Sequence, residues 1–151
     1  MKIKAASFVM IFLLFASCAK KKAREQAEAD EKIIQDYITA NDLMASNTES
    51  GLYYVINEEG TGEGCDSFST VTVAYKGYLP NGNVFDESPE EGITFGLQNV
   101  IEGWTEGIPF FKEEGDGILL IPSALGYGNR KTGAIPKNSV LIFDVKLIEV
   151  L

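Results

Sequence analysis

From Gly51 onward the sequence is a series of short runs rich in β-branched and aromatic residues, separated by glycine and asparagine turns. Runs of this kind predict β-strands. The candidate strands are residues 52–57, 70–79, 117–122 and 140–150. The sequence PNGN at residues 80–83 predicts a tight hairpin, because Asn-Gly tolerates the positive φ angles of such turns, and Phe85 would begin the returning strand.

One segment of this region breaks the strand pattern. Residues 100–111 place Val100, Ile101, Trp104 and Ile108 on one face of a short helix, which Pro109 is expected to end. A single short helix among mostly antiparallel strands indicates an α+β domain with the helix on one face of the sheet. The length of 151 residues leaves room for one such domain and a short appendage.

The N-terminus has the layout of a secretion signal. Lys2 and Lys4 precede an apolar stretch at residues 8–15 (FVMIFLLF), which is shorter than the roughly 20 residues that span a bilayer. Small residues then lead into Cys18, an order that resembles a bacterial lipobox, in which the cysteine is acylated. We therefore expect a signal peptide over residues 1–17 and a lipid on Cys18. An uncleaved anchor and an ordinary signal peptide are the alternatives.

Residues 18–50 are expected to connect this lipid to the domain, which begins at residue 51. Apart from Gln26, residues 19–32 carry only small or charged side chains and suit a solvated tether. Apolar positions at helical spacing follow and predict an amphipathic helix that continues to about Leu43. They are Ile33, Ile34, Tyr37 and Ile38. This stripe is expected to pack on the protein's own domain, with a helix-mediated homodimer as the alternative, and residues 46–50 are expected to form a loop.

Charge and residue types exclude several functions. The formal net charge of −9 would repel phosphate backbones, so nucleic acid is not expected as a partner. The absence of histidine excludes Ser-His-Asp and Cys-His nucleophilic systems. An acylated Cys18 leaves Cys65 without an intramolecular partner, and Cys65 is interpreted as a spare loop thiol. Neither a metal ion nor a cofactor is expected.

Ordered motifs carry a family resemblance. VAYKGYL at residues 73–79 and NGNVFDES at residues 81–88 resemble the signature V-x-Y-x-G-x-L…G-x-x-F-D-S-S of FKBP-type peptidyl-prolyl cis/trans isomerases. The same order continues in VIEGWTEG (100–107), IP (121–122), YG (127–128), IP (135–136) and LIFDV (141–145). The resemblance covers residues 51–151 and implies a curled antiparallel β-sheet wrapped around one short α-helix, here with an N-terminal helical extension.

The resemblance also implies the residues of a proline-binding pocket. The Tyr127 hydroxyl and the Ile101 backbone N–H would donate hydrogen bonds to substrate carbonyls, and Asp86 would be a buried acceptor oriented by Tyr75. Trp104 would form the pocket floor. The other implied pocket residues are Phe85, Phe95 or Ile93 at one alignment position, Val100, Ile135 and Phe143. The loop GNRKTGA after Tyr127 is slightly shorter and more basic than in the family.

Such a pocket fits isomerisation of X-Pro bonds. Rotation about the bond faces a barrier of about 18–20 kcal/mol, and a dry aromatic site stabilises the planar, charge-separated imide less than water does. The expected function is a peptidyl-prolyl isomerase of the cell envelope, lipid-anchored on the periplasmic side of a bacterial outer membrane, that assists the folding of exported, proline-containing polypeptides. A chaperone module without turnover and a structural envelope lipoprotein are the alternatives. Asp86 and Tyr127 favour catalysis, because a purely hydrophobic clamp would need neither.

Overall fold

The computed structural model describes the backbone of residues 6–151 and the side chains of residues 18–151. This part of the chain contains two α-helices, α1 (Ala6–Ala40) and α2 (Glu102–Gly107). Its strands are β1 (Ser46–Asn47), β2 (Tyr53–Glu58), β3 (Thr70–Tyr78), β4 (Val84–Glu87), β5 (Ile93–Gly96), β6 (Asp116–Ile121) and β7 (Leu141–Val150). Short 3-10 turns lie at Leu97–Asn99, Ile108–Phe110 and Ser123–Leu125.

The strands form one antiparallel sheet in the order β1-β2-β6-β7-β3-β4. β3 is long enough for two partners along one edge: its first residues pair with β5 and its last with β4. Register shifts within β2, β3 and the β3–β4 pair bend the sheet, because a bulge increases local twist. The predicted class, an α+β fold with an antiparallel sheet and a short helix, is confirmed.

The predicted hairpin joins β3 to β4. The Gly82 N–H donates to the Leu79 carbonyl at 2.8 Å, and the Leu79 N–H donates to the Asn83 carbonyl at 3.0 Å. The positive φ falls on Gly82 alone, at 86°, while the Asn81 side chain accepts a hydrogen bond from the Asn83 N–H at 3.0 Å. The turn is therefore where the sequence places it, with asparagine acting through its side chain.

The four candidate strands lie within one residue of β2, β3, β6 and β7. Three other expectations were wrong. Residues 46–47 are a strand rather than loop, because they pair with β2, and β5 was not foreseen. The helix at 100–111 is shorter than expected: Ile101 is extended, α2 ends at Gly107, and Pro109 lies in the following 3-10 turn.

Helix α1 covers the sheet face opposite α2. Ile34 is fully buried there against Tyr53, Val55, Leu120 and Val140. Tyr37 and Ile38 pack around this cluster, whereas Ile33 remains 38% exposed. The expected packing of the stripe on its own domain is thus confirmed for three of its four residues, and the homodimer stays a prediction.

The expectation of a solvated tether over residues 19–32 holds for residues 19–25, which are all exposed, but is wrong at Asp30, which is 1% exposed. A charged side chain can be buried when it has hydrogen-bond partners, and Asp30 has them in Ser123. Lys2 and Lys4 lie outside the described residues, as do the side chains of residues 8–15. Within residues 6–151, neither helix combines the length and apolar character that crossing a bilayer requires.

Candidate active site

A cavity of about 890 Å³ opens between α2, the strands β3, β4, β5 and β7, and the β6–β7 connection. All ten residues that the resemblance placed in the pocket line this one cavity. They are Tyr75, Phe85, Asp86, Phe95, Val100, Ile101, Trp104, Tyr127, Ile135 and Phe143. The chain therefore brings together residues from five separate elements and two loops.

Trp104 of α2 packs at the bottom of this cavity and is 5% exposed. Its ring meets Tyr75 and Phe143 edge to face, with centroids 4.9 and 5.1 Å apart, and lies 5.3 Å from Phe95. Edge-to-face contacts of this kind stabilise aromatic clusters beyond the burial of area. The indole Nε1 is buried and has no hydrogen-bond partner among the described residues. The indole is thus held in place by its aromatic neighbours.

The choice between Phe95 and Ile93 follows from their positions on β5. Both line the cavity, but Phe95 is half-buried against Trp104, whereas Ile93 is 41% exposed. Phe95 therefore belongs to the aromatic wall, and Ile93 lies at its rim.

Two motif glycines allow the aromatic wall to close. A Cβ on Gly77 would lie 2.6 Å from Phe143 Cε1 and 2.7 Å from Phe85 Cε2, whose rings meet edge to face at 5.5 Å. A Cβ on Gly103 would lie 2.5 Å from Ile121 Cγ2, where α2 rests on the sheet. Real Cβ atoms do not approach so closely, so both positions require glycine for close approach.

Tyr75 and Asp86 form the polar edge of the cavity. The Tyr75 hydroxyl donates to Asp86 Oδ2 at 2.7 Å. Burial, and then this hydrogen bond, raise the pKa of Tyr75 to about 12, so the hydroxyl keeps its proton at neutral pH. The expectation that Asp86 is buried was wrong: it is exposed, because it lies on the short strand β4 at the sheet edge, beside the cavity mouth.

Tyr127 and Ile101 face the cavity from opposite connections. Tyr127 is half-buried and follows the 3-10 turn Ser123–Leu125. Ile101 precedes α2, and its carbonyl accepts the N–H of Trp104 at 2.9 Å and of Thr105 at 3.2 Å. These bonds fix the backbone of Ile101 at the start of the helix, next to the floor residue.

Sequence reasoning missed two charged residues that line the cavity, Glu102 and Arg130. The basic composition of the loop after Tyr127 was the available signal for Arg130. No local pattern distinguished Glu102, whose place in the cavity depends on the start of α2.

Comparisons with known proteins agree on one family. Residues 63–148 match the family model described as FKBP-type peptidyl-prolyl cis-trans isomerase. A Haemophilus influenzae protein named "Probable FKBP-type peptidyl-prolyl cis-trans isomerase" is 43% identical over 143 residues, which cover 91% of this chain and 58% of that protein. FkpA of Escherichia coli K12, an FKBP-type peptidyl-prolyl cis-trans isomerase, is 38% identical over 138 residues, covering 89% of this chain and 51% of FkpA. The chain spans about half the length of the curated relatives it matches.

Solved structures show the same fold. The crystal structure of E. coli FkpA has a TM-score of 0.72 at 34% identity and covers 99% of this chain and 74% of that one. A peptidyl-prolyl cis-trans isomerase from Pseudomonas syringae pv. tomato has a TM-score of 0.70 at 30% identity, covering 82% of this chain and 94% of that one.

Proposed function

The chain belongs to the family of FKBP-type peptidyl-prolyl cis-trans isomerases, and we propose that it catalyses cis/trans isomerisation of X-Pro bonds in polypeptides bound in the aromatic cavity. The observation that carries this proposal is the floor: Trp104 is enclosed by three aromatic rings, with Tyr75–Asp86 as a polar edge. A proline ring placed on Trp104 would be surrounded by apolar side chains.

The physical problem in this reaction is the loss of amide resonance. The barrier of about 18–20 kcal/mol arises because the C–N bond must lose its partial double-bond character. The planar imide is polar and is stabilised by water, whereas the twisted form has less charge separation. A site that removes water and holds the proline ring in the twisted geometry therefore lowers the barrier by binding the transition state better than the ground state.

The polar residues would fix the substrate backbone in this site. The Tyr127 hydroxyl and the Ile101 N–H are proposed to donate to substrate carbonyls on the two sides of the rotating bond. Asp86 is proposed as an acceptor at the mouth, with its carboxylate oriented by the Tyr75 hydroxyl. Phe85, Val100, Ile135 and Phe143 would complete the apolar walls that contact proline.

The test compares Asp86→Leu and Tyr127→Phe with wild type in a protease-coupled isomerisation assay. Each variant should lower kcat/KM by roughly tenfold, the effect of losing one hydrogen bond to a charged or strongly oriented group. Glu87→Leu is the matched control for Asp86→Leu, because neighbouring residues of a strand face opposite sides, and Glu87 does not line the cavity. Circular dichroism should show all three variants folded.

The outcomes separate isomerase from binding module. Equal rates for wild type and Asp86→Leu would refute the role of Asp86. A wild type that binds proline peptides but does not accelerate isomerisation would replace the enzyme by a chaperone module acting through the same cavity.

We further propose that Cys18 carries a lipid and that the protein works at the periplasmic side of a bacterial membrane, on exported polypeptides. The support is the lipobox-like order before Cys18, its exposure, and the exposed helical segment after it, which carries the ion pairs Lys21–Glu25 and Arg24–Glu28. Mass spectrometry of the native N-terminus should find an acylated Cys18. An intact Met1 would contradict the anchor, and Cys18→Ser should release the protein from membranes without unfolding it.

A further inference from the structure

Asp30 makes a buried connection between α1 and the cavity wall, which here means residues 123–128 of the β6–β7 connection. It and Ser123 are the buried polar residues of the described side chains, at 1% and 2% exposure. Asp30 Oδ2 accepts the backbone N–H of Ser123 at 2.8 Å and its hydroxyl at 2.6 Å. Asp30 Oδ1 accepts the Gln26 side-chain amide at 2.7 Å. Both carboxylate oxygens are therefore satisfied away from water, and such charge-assisted hydrogen bonds are roughly twice as strong as neutral ones.

Ser123 in turn holds the backbone on both sides of Tyr127. The Ser123 carbonyl accepts the N–H of Gly126 at 3.1 Å and the N–H of Gly128 at 2.8 Å. Its own N–H and hydroxyl are the groups bound by Asp30. The N–H and hydroxyl of Ser123 therefore bind Asp30 of the helix, and its carbonyl binds the residues on either side of Tyr127.

Hydrogen bonding rather than close packing joins the helix to this wall. A second cavity of about 630 Å³ lies between α1 and the wall, beside the Asp30–Ser123 contact. Ala124 and Gly128 border both this cavity and the aromatic one. Because the space beside the contact is open, the wall relies on Asp30 for its position more than it would in a filled interface.

We propose that Asp30 is a positioning residue for the cavity: through Ser123 it fixes the segment that carries Tyr127, and so makes α1 part of the scaffold of the site. The effect on turnover rests on the proposed isomerase function. The effect on the order of the segment does not, which allows the two to be tested separately.

The test uses the full chain with Asp30→Asn, a substitution of equal size that removes the charge. Asp36→Asn is the matched control, since Asp36 lies on the same helix in an exposed ion pair with Lys32. Amide hydrogen exchange at Gly126 and Gly128 should accelerate by tenfold or more in Asp30→Asn and stay unchanged in Asp36→Asn. Exchange in β6 and β7 should be the same in both variants. Unchanged exchange at the two glycines would overturn the proposal, whatever the activity.

Isomerisation rates supply the second readout. Asp30→Asn should lower kcat/KM several-fold in the wild-type background. The loss should be much smaller in the Tyr127→Phe background, because that protein has no hydroxyl at position 127 whose position Asp30 could affect. Equal effects in the two backgrounds would reduce Asp30 to a general stabiliser and overturn its positioning role.

If Asp30→Asn does not fold, Ser123→Ala removes the hydroxyl bond while keeping the backbone bond, and should give a smaller effect of the same pattern. An inactive wild type with accelerated exchange in Asp30→Asn would refute the isomerase function and leave the scaffold role standing.

A second, independent observation concerns charge at the cavity rim. Residues 117–143 contain no Asp or Glu in this acidic chain, but they contain Arg130, Lys131 and Lys137. All three cations are exposed, and none forms an ion pair with the side chains that the structure describes. Arg130 lines the aromatic cavity, while Asp86 and Glu102 line it elsewhere.

From this geometry we infer that Arg130 at the cavity rim, together with the exposed Lys131 that follows it in the chain, selects polypeptides with an acidic side chain near the proline. A carboxylate on the substrate would meet cations that form no ion pair with the described side chains, in a chain whose formal net charge is −9. The attraction is local, because exposed charges are screened beyond about 10 Å at 0.1 M salt. This specificity rests on the proposed function for turnover, but peptide binding alone can test it.

The test measures kcat/KM and peptide affinity for matched proline peptides that carry Glu or Lys within two residues of the proline. At low salt the Glu peptide should be preferred about 3- to 10-fold, the range of one or two exposed ion pairs. The preference should disappear in the double variant Arg130→Gln/Lys131→Gln and in 0.5 M NaCl. It should persist in Lys146→Gln, an exposed cation outside the cavity. Equal affinity for the two peptides, or a preference that survives in the double variant, would overturn the inference.

Discussion

Both faces of the sheet are buried, but one face carries a cluster of aromatic side chains and the other is mainly aliphatic. On the face toward α2, Tyr75 and Phe143 of the sheet pack with Trp104 of the helix, and these rings line a cavity of about 890 Å³. The face toward α1 is filled by aliphatic side chains around Ile34, together with Tyr53. The Tyr53 hydroxyl donates to Glu31 at 2.7 Å. One face therefore encloses a cavity lined by aromatic side chains, and the other attaches the helix.

The strands serve both faces by alternation. In β6, Leu119 and Ile121 belong to the core under α2, while Ile118 and Leu120 belong to the cluster under α1. Successive side chains of a strand point to opposite faces, so a strand covered on both sides reads as a continuous apolar run. The GILLI run in β6 is this pattern, and it explains why a central strand of an antiparallel sheet has no polar residue between Gly117 and Pro122.

The largest loss of stability and of peptide binding is expected from a substitution at the aromatic face. Trp104→Ala should lower the free energy of unfolding by about 3–5 kcal/mol, because a large buried ring is lost and a void remains. It should also abolish binding of proline peptides, since the floor of the cavity is removed. Urea unfolding and peptide titration measure the two effects, and retained peptide affinity in a folded Trp104→Ala would contradict the assignment of the floor.

The aliphatic cluster around Ile34, unlike the Asp30–Ser123 contact, should respond in stability alone. Ile34→Ala should lower the free energy of unfolding by about 2–5 kcal/mol, because Ile34 is fully buried. Affinity for proline peptides should stay within about twofold in the protein that remains folded. The adjacent Ile33→Ala is the control and should change stability by less than about 0.5 kcal/mol, since Ile33 is 38% exposed. Equal losses in the two variants would mean that the stripe is not anchored as described.

A smaller effect is expected at Gly77, where the backbone of β3 contacts the rings of Phe85 and Phe143. Gly77→Ala should destabilise the protein by about 1–3 kcal/mol, because the new Cβ forces the Phe85 and Phe143 rings apart. KM for proline peptides should rise as the wall opens. Gly64→Ala is the control, since a Cβ there meets no atom within 4 Å. A Gly77→Ala protein with wild-type KM would show that the two rings move freely.

The smallest effect is a pH dependence confined to the polar edge. The pKa of Tyr75 rises from 10.0 to about 12 on folding, so the neutral hydroxyl is the form that the fold favours. Its contribution to stability is fully present below pH 10 and is lost as the pH approaches 12. The stability difference between wild type and Tyr75→Phe should therefore be constant at neutral pH and shrink between pH 10 and 12. A difference that stays constant from pH 8 to pH 12 would contradict the raised pKa of Tyr75.

Much of the cavity was predictable because its residues lie in ordered motifs. The Val-x-Tyr-x-Gly-x-Leu and Phe-Asp motifs located Tyr75, Phe85 and Asp86, and the helix motif located Trp104. The exposure of Asp86 was not predictable, since a motif identifies a residue type and not its distance from the sheet edge. Arg130 and Glu102 were missed for the same reason: their side chains enter the cavity only through the way the loop and α2 are placed.

The longer strands, the hairpin and the position of the short helix were predictable from local sequence patterns. These elements follow from local patterns: β-branched and aromatic runs, a Gly in the turn, and apolar residues at helical spacing. Each pattern lies within about ten residues, where steric and hydrophobic preferences act directly.

The short strands and the burial of Asp30 depend on contacts between parts of the chain that are distant in sequence. β1 has two residues and β5 has four, too few for a periodic signal, and they exist because β2 and β3 offer free hydrogen-bonding edges. Asp30 lies among exposed charges in the sequence, yet it is buried because Ser123, 93 residues away, presents two donors to it. A charge leaves water only when distant partners replace its hydration, and that condition is met by the folded chain rather than by any local pattern.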